Sequence, residues 1–236
     1  MYFHIDGIPE VYKYTTEGDY NVMVMELLGP SLEELFQACN RKFSLETVNK
    51  IGFQGMRIIA NIQKKGFIHR DIKPDNYLIG LGPKIRNIYI IDFGLAKRFI
   101  DPQTNTHIFY KQNKNLTETA RYASINTHCG EEQSRRDDFE GMLYVLLYLL
   151  KGCLPWQGVD ANNKLTKYEK ILQIKKQWVP KAICDKLPSY FFELLCYVRS
   201  MNFLDEPNYQ YIISKFQDNS INEFDWIIKK SVIIIR

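Results

Sequence analysis

In the run His69-Arg70-Asp71-Ile72-Lys73-Pro74-Asp75-Asn76, four residue types stand together that rarely do so by chance, and Asp92-Phe93-Gly94 follows twenty-one residues after Asp71. Asp71 can accept a proton from a hydroxyl group, and Lys73 can hold the charge of a phosphate. Asn76 and Asp92 offer hard oxygen ligands of the kind Mg²⁺ prefers. Phosphoryl transfer depends on positioning and on neutralising developing charge, and this set of groups supplies both. The plain alternative is that these polar residues cap turns, but it leaves their number and order unexplained.

These groups need a scaffold. Ser44 begins a helix whose Leu45, Val48, Ile51, Ile58, Ile59 and Ile62 recur near a helical period. Lys64-Lys65-Gly66 stops it, with cations in the last turn and a glycine able to turn left-handed. Ahead of it, Ser31-Leu32-Glu33-Glu34 is a capping box that opens a short helix to about Asn40. The run from Tyr20 reads as a strand buried on both faces, with 11–14 as its hairpin partner across Gly18-Asp19. Tyr77 to Ile79 and Ile88 to Ile91, split by Gly80-Leu81-Gly82-Pro83, predict a second hairpin. Residues 97–134 read as a long functional loop. Asp138 to Leu150 is apolar nearly all round and predicts a buried central helix. The remainder is helical by pattern, broken at Pro155, Pro180, Pro188 and Pro207. A small strand region thus precedes a larger helical one, with the polar motifs in the loops between, where catalytic groups usually sit.

Composition agrees with an ordinary folded domain. Of 236 residues 45% are hydrophobic and 25% charged, and 15 Tyr, 14 Phe and 3 Trp supply material for a core. A net charge of +4 is too mild to argue for a nucleic-acid or membrane partner. The five cysteines are odd in number and widely spaced, which fits a reducing compartment better than a disulfide framework. MYFHIDGIPE shows no secretory signal, and the longest apolar stretch, 142–150, is too short for a membrane span. The expectation is a soluble, monomeric chain of the cytoplasm or nucleus.

H-R-D-x-K-x-x-N followed by D-F-G resembles the protein kinases. In place of Ala-Pro-Glu the chain has Ala123-Ser124-Ile125-Asn126-Thr127-His128. With Leu27-Leu28-Gly29-Pro30-Ser31-Leu32-Glu33, Glu132-Gln133-Ser134-Arg135-Arg136-Asp137-Asp138, Lys114-Asn115-Leu116-Thr117 and Leu154-Pro155-Trp156-Gln157-Gly158, this is similar to the casein kinase 1 family from about Gly7 to Phe216. The resemblance implies ATP and Mg²⁺ as cofactors, Asp71, Lys73 and Asn76 as catalytic residues, and Asn76 and Asp92 as metal ligands. It implies that Met25 stands behind the adenine, that Glu26 and Leu28 offer it backbone hydrogen bonds, and that Leu78 and Ile91 form the floor. For these apolar residues ordinary core burial is the competing reading. Lys114, Arg121 and Lys167 match an anion pocket for a phosphorylated or acidic residue of a protein substrate, where Arg121 can bind bidentately. Solvated surface charge is the alternative there, given the Lys-rich stretch 164–181. Glu118 replaces the family's usual glycine and would repel phosphate by a few tenths to about 1 kcal/mol. Gly141-Met142-Leu143 replaces Ser-Leu-Gly in the central helix, and Asp138 matches an aspartate that holds the catalytic loop backbone.

The family template also has a Gly-rich loop over the phosphates, a lysine on the third strand and a glutamate on the following helix, and the sequence shows none of the three. The expectation is therefore an α+β, protein-kinase-like fold with a remnant of the small lobe and hinge in 1–29, a mainly helical large lobe in 30–220 and an extension in 221–236. The expected function is Ser/Thr protein kinase of casein kinase 1 type, from a chain truncated at its N-terminus. A catalytically inactive, pseudokinase-like binding fragment is the alternative, and a decayed gene remnant the third.

Overall fold

The helix Arg135–Lys151 is buried at every residue from Arg135 to Leu149, and the other elements are laid around it. The computed structural model describes residues 5–116, 119–160, 163–177, 180–216 and 223–229. In chain order they form β1 (Val11–Glu17), β2 (Tyr20–Met25), α1 (Leu32–Ala38), α2 (Leu45–Lys64), β3 (Phe67–Ile68), β4 (Tyr77–Ile79), β5 (Ile88–Ile90), β6 (Lys97–Arg98), α3 (Ile125–His128), α4 (Arg135–Lys151), α5 (Lys164–Gln177), α6 (Pro180–Ile183), α7 (Ser189–Ser200), α8 (Tyr209–Ser214) and α9 (Asp225–Ile228). Single 3₁₀ turns cover Pro74–Asn76, Gly82–Lys84 and Phe93–Leu95. Glu118 lies outside the described residues.

Local chemistry sets the helix ends. Ser31 accepts from Glu34 N while the Glu34 carboxylate accepts from Ser31 N at 2.7 Å, the capping box expected from sequence. Ser44 Oγ caps α2 by accepting from Thr47 N, while Ser44 N donates to Asp225 Oδ2 at 2.5 Å, and Gly66, at φ 82°, ends the helix in the left-handed conformation. The buried face of α2 lies against α4 and α8. Glycines make room for this approach: a Cβ at Gly55 would stand 2.3 Å from Met142 Cε, and one at Gly52 would stand 2.6 Å from the Phe216 ring. A chain of aromatic rings, Phe36–Phe43–Trp226–Phe224, fastens α9 onto α1 through centroid distances of 5.3, 5.5 and 4.3 Å.

The strands form three two-stranded antiparallel ribbons among the described residues, β1–β2, β3–β6 and β4–β5. Both predicted hairpins are present. β2 departs from the expectation of burial on both faces: Tyr20 is 77% exposed and Met23 54%. An apolar strand is buried only if something covers it, and here a single neighbouring strand leaves both faces open to solvent. The long loop 97–134 is less irregular than predicted, since β6 and the Ser124-capped α3 lie within it. All five cysteines are free thiols. Among the described residues no helix is long and apolar enough to cross a membrane.

Candidate active site

The loop after β3 is held from beneath by the buried carboxylate of Asp138, on the first turns of α4. Its Oδ2 accepts from His69 N at 2.8 Å and its Oδ1 from Arg70 N at 2.9 Å. Burial pushes this carboxyl up, while His69 and the two backbone donors pull it down. Arg70 sits at φ 67°, a left-handed conformation that is costly for a residue other than glycine, and its Nε donates to Leu95 O at 2.6 Å. His69 is fully buried, with Nε2 3.1 Å from Ile91 O and Nδ1 accepting from Asp71 N at 3.3 Å. A carbonyl can only accept, so the proton is on Nε2. The same ring packs edge-on against Phe93 at 5.0 Å. These contacts tie the loop carrying Asp71 to the segment carrying Asp92.

On that support the predicted catalytic residues converge. Asp71 Oδ2 accepts from Lys73 Nζ at 2.6 Å and from Asn76 Nδ2 at 3.2 Å. Asn76 Nδ2 also donates to Asp71 O at 2.9 Å, which turns the amide oxygen to the opposite side. Ile91 N donates to Asn76 O at 3.0 Å, so Asn76 and Asp92 are near neighbours at the end of the β4–β5 ribbon. Asp92 takes φ 64°, exposes its carboxylate and accepts from Gly94 N at 3.2 Å. One amide oxygen and one carboxylate are the hard donors that Mg²⁺ takes together with substrate phosphates, and the residues fit such an ion.

The residues expected around adenine lie along one path. Met25 ends β2 and is half-buried, as are Glu26 and Leu28. Glu26 N donates to Glu10 O at 2.7 Å, which leaves its carbonyl as the group able to meet a base. Its carboxylate accepts from Lys84 Nζ at 2.5 Å. Gly29 N donates to Ile79 O and Ile79 N to Pro30 O, so the segment after Leu28 is sewn to β4. Leu78 and Ile91 are half-buried, whereas Tyr77, Ile79 and Ile90 around them are buried. The ribbon therefore keeps one apolar face in the core and offers Leu78 and Ile91 on the other.

The three predicted anion-binding cations are not all brought together. Arg121 and Lys167 line one cavity with Thr119, Gln157, Gly158 and Tyr168. Lys114 lies apart from that lining, with its Nζ 3.3 Å from Glu132 Oε2, while Lys97 Nζ meets Glu132 Oε1 at 2.9 Å. Burial works to raise the Glu132 carboxyl, but these two lysines outweigh it and hold it below the usual range. Sequence shows cations without showing which carboxylates they will face. Gln157 and Gly158 are cavity residues that side-chain chemistry alone did not flag; the nearest signal was their place in Leu154–Gly158.

A match to the protein kinase domain covers residues 3–213. The chain belongs to the protein kinase family. The kinase geometry explains the support described above: Asp138 holds the loop backbone, His69 and Phe93 join it to the segment carrying Asp92, and the buried Asp71 lies beside Lys73. Kinases are transferases that use ATP and Mg²⁺, and Asn76 and Asp92 are the residues here suited to the ion.

One neutral histidine supports the segment between Asp71 and the cavity. Burial, and then the Lys175 ammonium, push His128 down to about 3. The unfolded chain binds this proton near pH 6.5 and the folded kinase does not, so folding stability is full above pH 6.5 and is lost as pH falls toward 3. At pH 4 the expected loss is on the order of 3 kcal/mol. Thermal unfolding scans from pH 7 to pH 4 should show a steep fall in Tm that is blunted in His128→Phe, and parallel curves for the two proteins would contradict the assignment.

Proposed function

We propose that the chain is a Ser/Thr protein kinase of casein kinase 1 type that phosphorylates acidic or pre-phosphorylated proteins. The observation that carries the phosphoryl-transfer step is the Asp71–Lys73–Asn76 cluster, with Asp71 hydrogen-bonded on one carboxylate oxygen by both neighbours. The substrate hydroxyl oxygen forms the new bond to the γ-phosphorus as the bond to the β-phosphate oxygen breaks, and Asp71 accepts the hydroxyl proton. Lys73 lies 2.6 Å from that carboxylate, close enough for its charge to steady the transferring group. When bound, Mg²⁺ held by Asn76 and Asp92 neutralises charge on the phosphates.

The preference for acidic or phosphorylated substrates is supported by the cavity of Arg121 and Lys167, which opens beside Thr119, whose Oγ1 is 3.4 Å from Asp71 Oδ1. An anion seated there places the following residues of the same peptide near the base. The partners are protein substrates met by a monomeric chain in the cytoplasm or nucleus.

The test is transfer of labelled phosphate from ATP–Mg²⁺ to casein and to a peptide pair differing only in an upstream phosphoserine. Transfer to Ser or Thr is expected, faster for the phosphorylated peptide. Arg121→Gln should raise KM for that peptide about tenfold, the weight of one charge-assisted bidentate contact, with little change for its plain partner. Equal KM changes for both peptides would remove the substrate preference from the proposal. Tight peptide binding without any transfer would mark the chain as a binding fragment.

A further inference from the structure

Lys175 is a lysine with no exposed surface, a state rarely tolerated unless the charge is met on several sides. Its Nζ donates to Ala123 O at 2.5 Å and to Ala120 O at 2.9 Å, and lies 3.2 Å from His128 Nε2. The ammonium also stands over the rings of Tyr144 at 4.9 Å and Trp156 at 5.0 Å. A Met or Leu would fill this space without the desolvation cost of a charge. What the lysine adds is a set of donors aimed at backbone carbonyls of one short segment.

That segment is 119–123, the stretch between the base and the cavity. Thr119 begins it beside Asp71, and Arg121, a lining residue of the cavity, carries its guanidinium over the rings of Tyr122 and Tyr148 at 5.6 and 5.5 Å. Trp156 Nε1 donates to Arg121 O at 2.7 Å, so the carbonyls of residues 120, 121 and 123 are all held from the side of α5 and Trp156. Lys167, Ile171 and Lys175 are spaced four residues apart on α5 and share one face. Lys167 and the buried Ile171 line the cavity, and the fully buried Lys175 follows one turn further along the helix. One helix face therefore fixes a wall of the cavity and the backbone that carries the opposing Arg121.

We propose that Lys175 is a positioning residue that sets segment 119–123, and with it the Arg121–Lys167 cavity, at a fixed distance from Asp71. The role rests on the function proposed above; Lys175 does not itself touch substrate.

Lys175→Met in the full chain is the test, read by amide hydrogen exchange and by peptide kinetics. Exchange at 120–124 should quicken at least tenfold while α4 changes less than twofold. KM for the phosphorylated peptide should rise about tenfold, with kcat for the plain peptide held within twofold, and Lys175→Arg should restore part of both. Unchanged exchange at 120–124, or a rise spread evenly through α4, would overturn the proposal. If Lys175→Met fails to fold, Lys175→Arg, which keeps the charge but changes the reach to Ala120 O and Ala123 O, should loosen the same amides to a smaller degree; no local change there would overturn it equally. A wild-type chain that transfers phosphate to neither peptide would refute the kinase reading, and the exchange result would still decide the role of Lys175.

Discussion

Asp71→Asn is expected to lower kcat for phosphoryl transfer about 10³-fold, inside the 10²–10⁴ range typical of a general base. Asparagine keeps the size of the side chain and one oxygen acceptor, so the folded state should survive with little change in Tm. It cannot take the hydroxyl proton. Its one amide oxygen can still accept from Lys73 Nζ and Asn76 Nδ2, which both donate to a single Asp71 oxygen, and this leaves the amide nitrogen facing Thr119 Oγ1. KM for ATP should hold nearly constant, because Asp71 meets the acceptor hydroxyl and not the nucleotide. Asp92→Asn separates the roles: weakening a metal ligand should shift the Mg²⁺ concentration needed for half-maximal rate, which Asp71→Asn should leave alone. Turnover near the wild-type rate in Asp71→Asn would remove it from the role of base.

The parts of this site that were legible in sequence are those whose geometry is made locally. His69 through Asn76 lie within eight residues, and the turn at Pro74–Asn76 is enough to bring Asn76 back onto Asp71. The capping serines 31 and 44 act within three residues of themselves. Asp138 was assignable because its place in the motif implied a partner loop, and the structure supplies the two N–H groups. Burial of β2 was misjudged because an apolar strand reports a tendency and not its neighbours. Lys175 was hidden for a related reason. In sequence it is one of several lysines in a polar helix, and only the approach of Ala120, Ala123 and Trp156, between 19 and 55 residues away, reveals its role. Lys114 shows the converse, a cation whose match to a pocket was plausible by position but whose charge is met by Glu132.

Asp138→Ala should be the most damaging single change to stability near the site. It strips the acceptors from His69 N and Arg70 N, of which His69 is fully buried and Arg70 half-buried. Each orphaned donor costs about 1–3 kcal/mol. Arg70, held at φ 67° partly by this bond, also loses what keeps it there. Against this stands the relief of the carboxylate's own desolvation, which burial makes considerable. The donors outweigh it because they are two and one of them is fully buried, and the net loss should be about 3 kcal/mol, or roughly 6–12 °C in Tm for a chain of this size. Asp138→Asn isolates the cause. It removes the charge yet keeps one acceptor, so it should recover about half of the loss if the hydrogen bonds dominate. It should equal or exceed the wild-type Tm if desolvation dominates instead. Transfer activity should fall in Asp138→Ala even at temperatures where the protein remains folded, because Asp71 follows directly on the two residues set free.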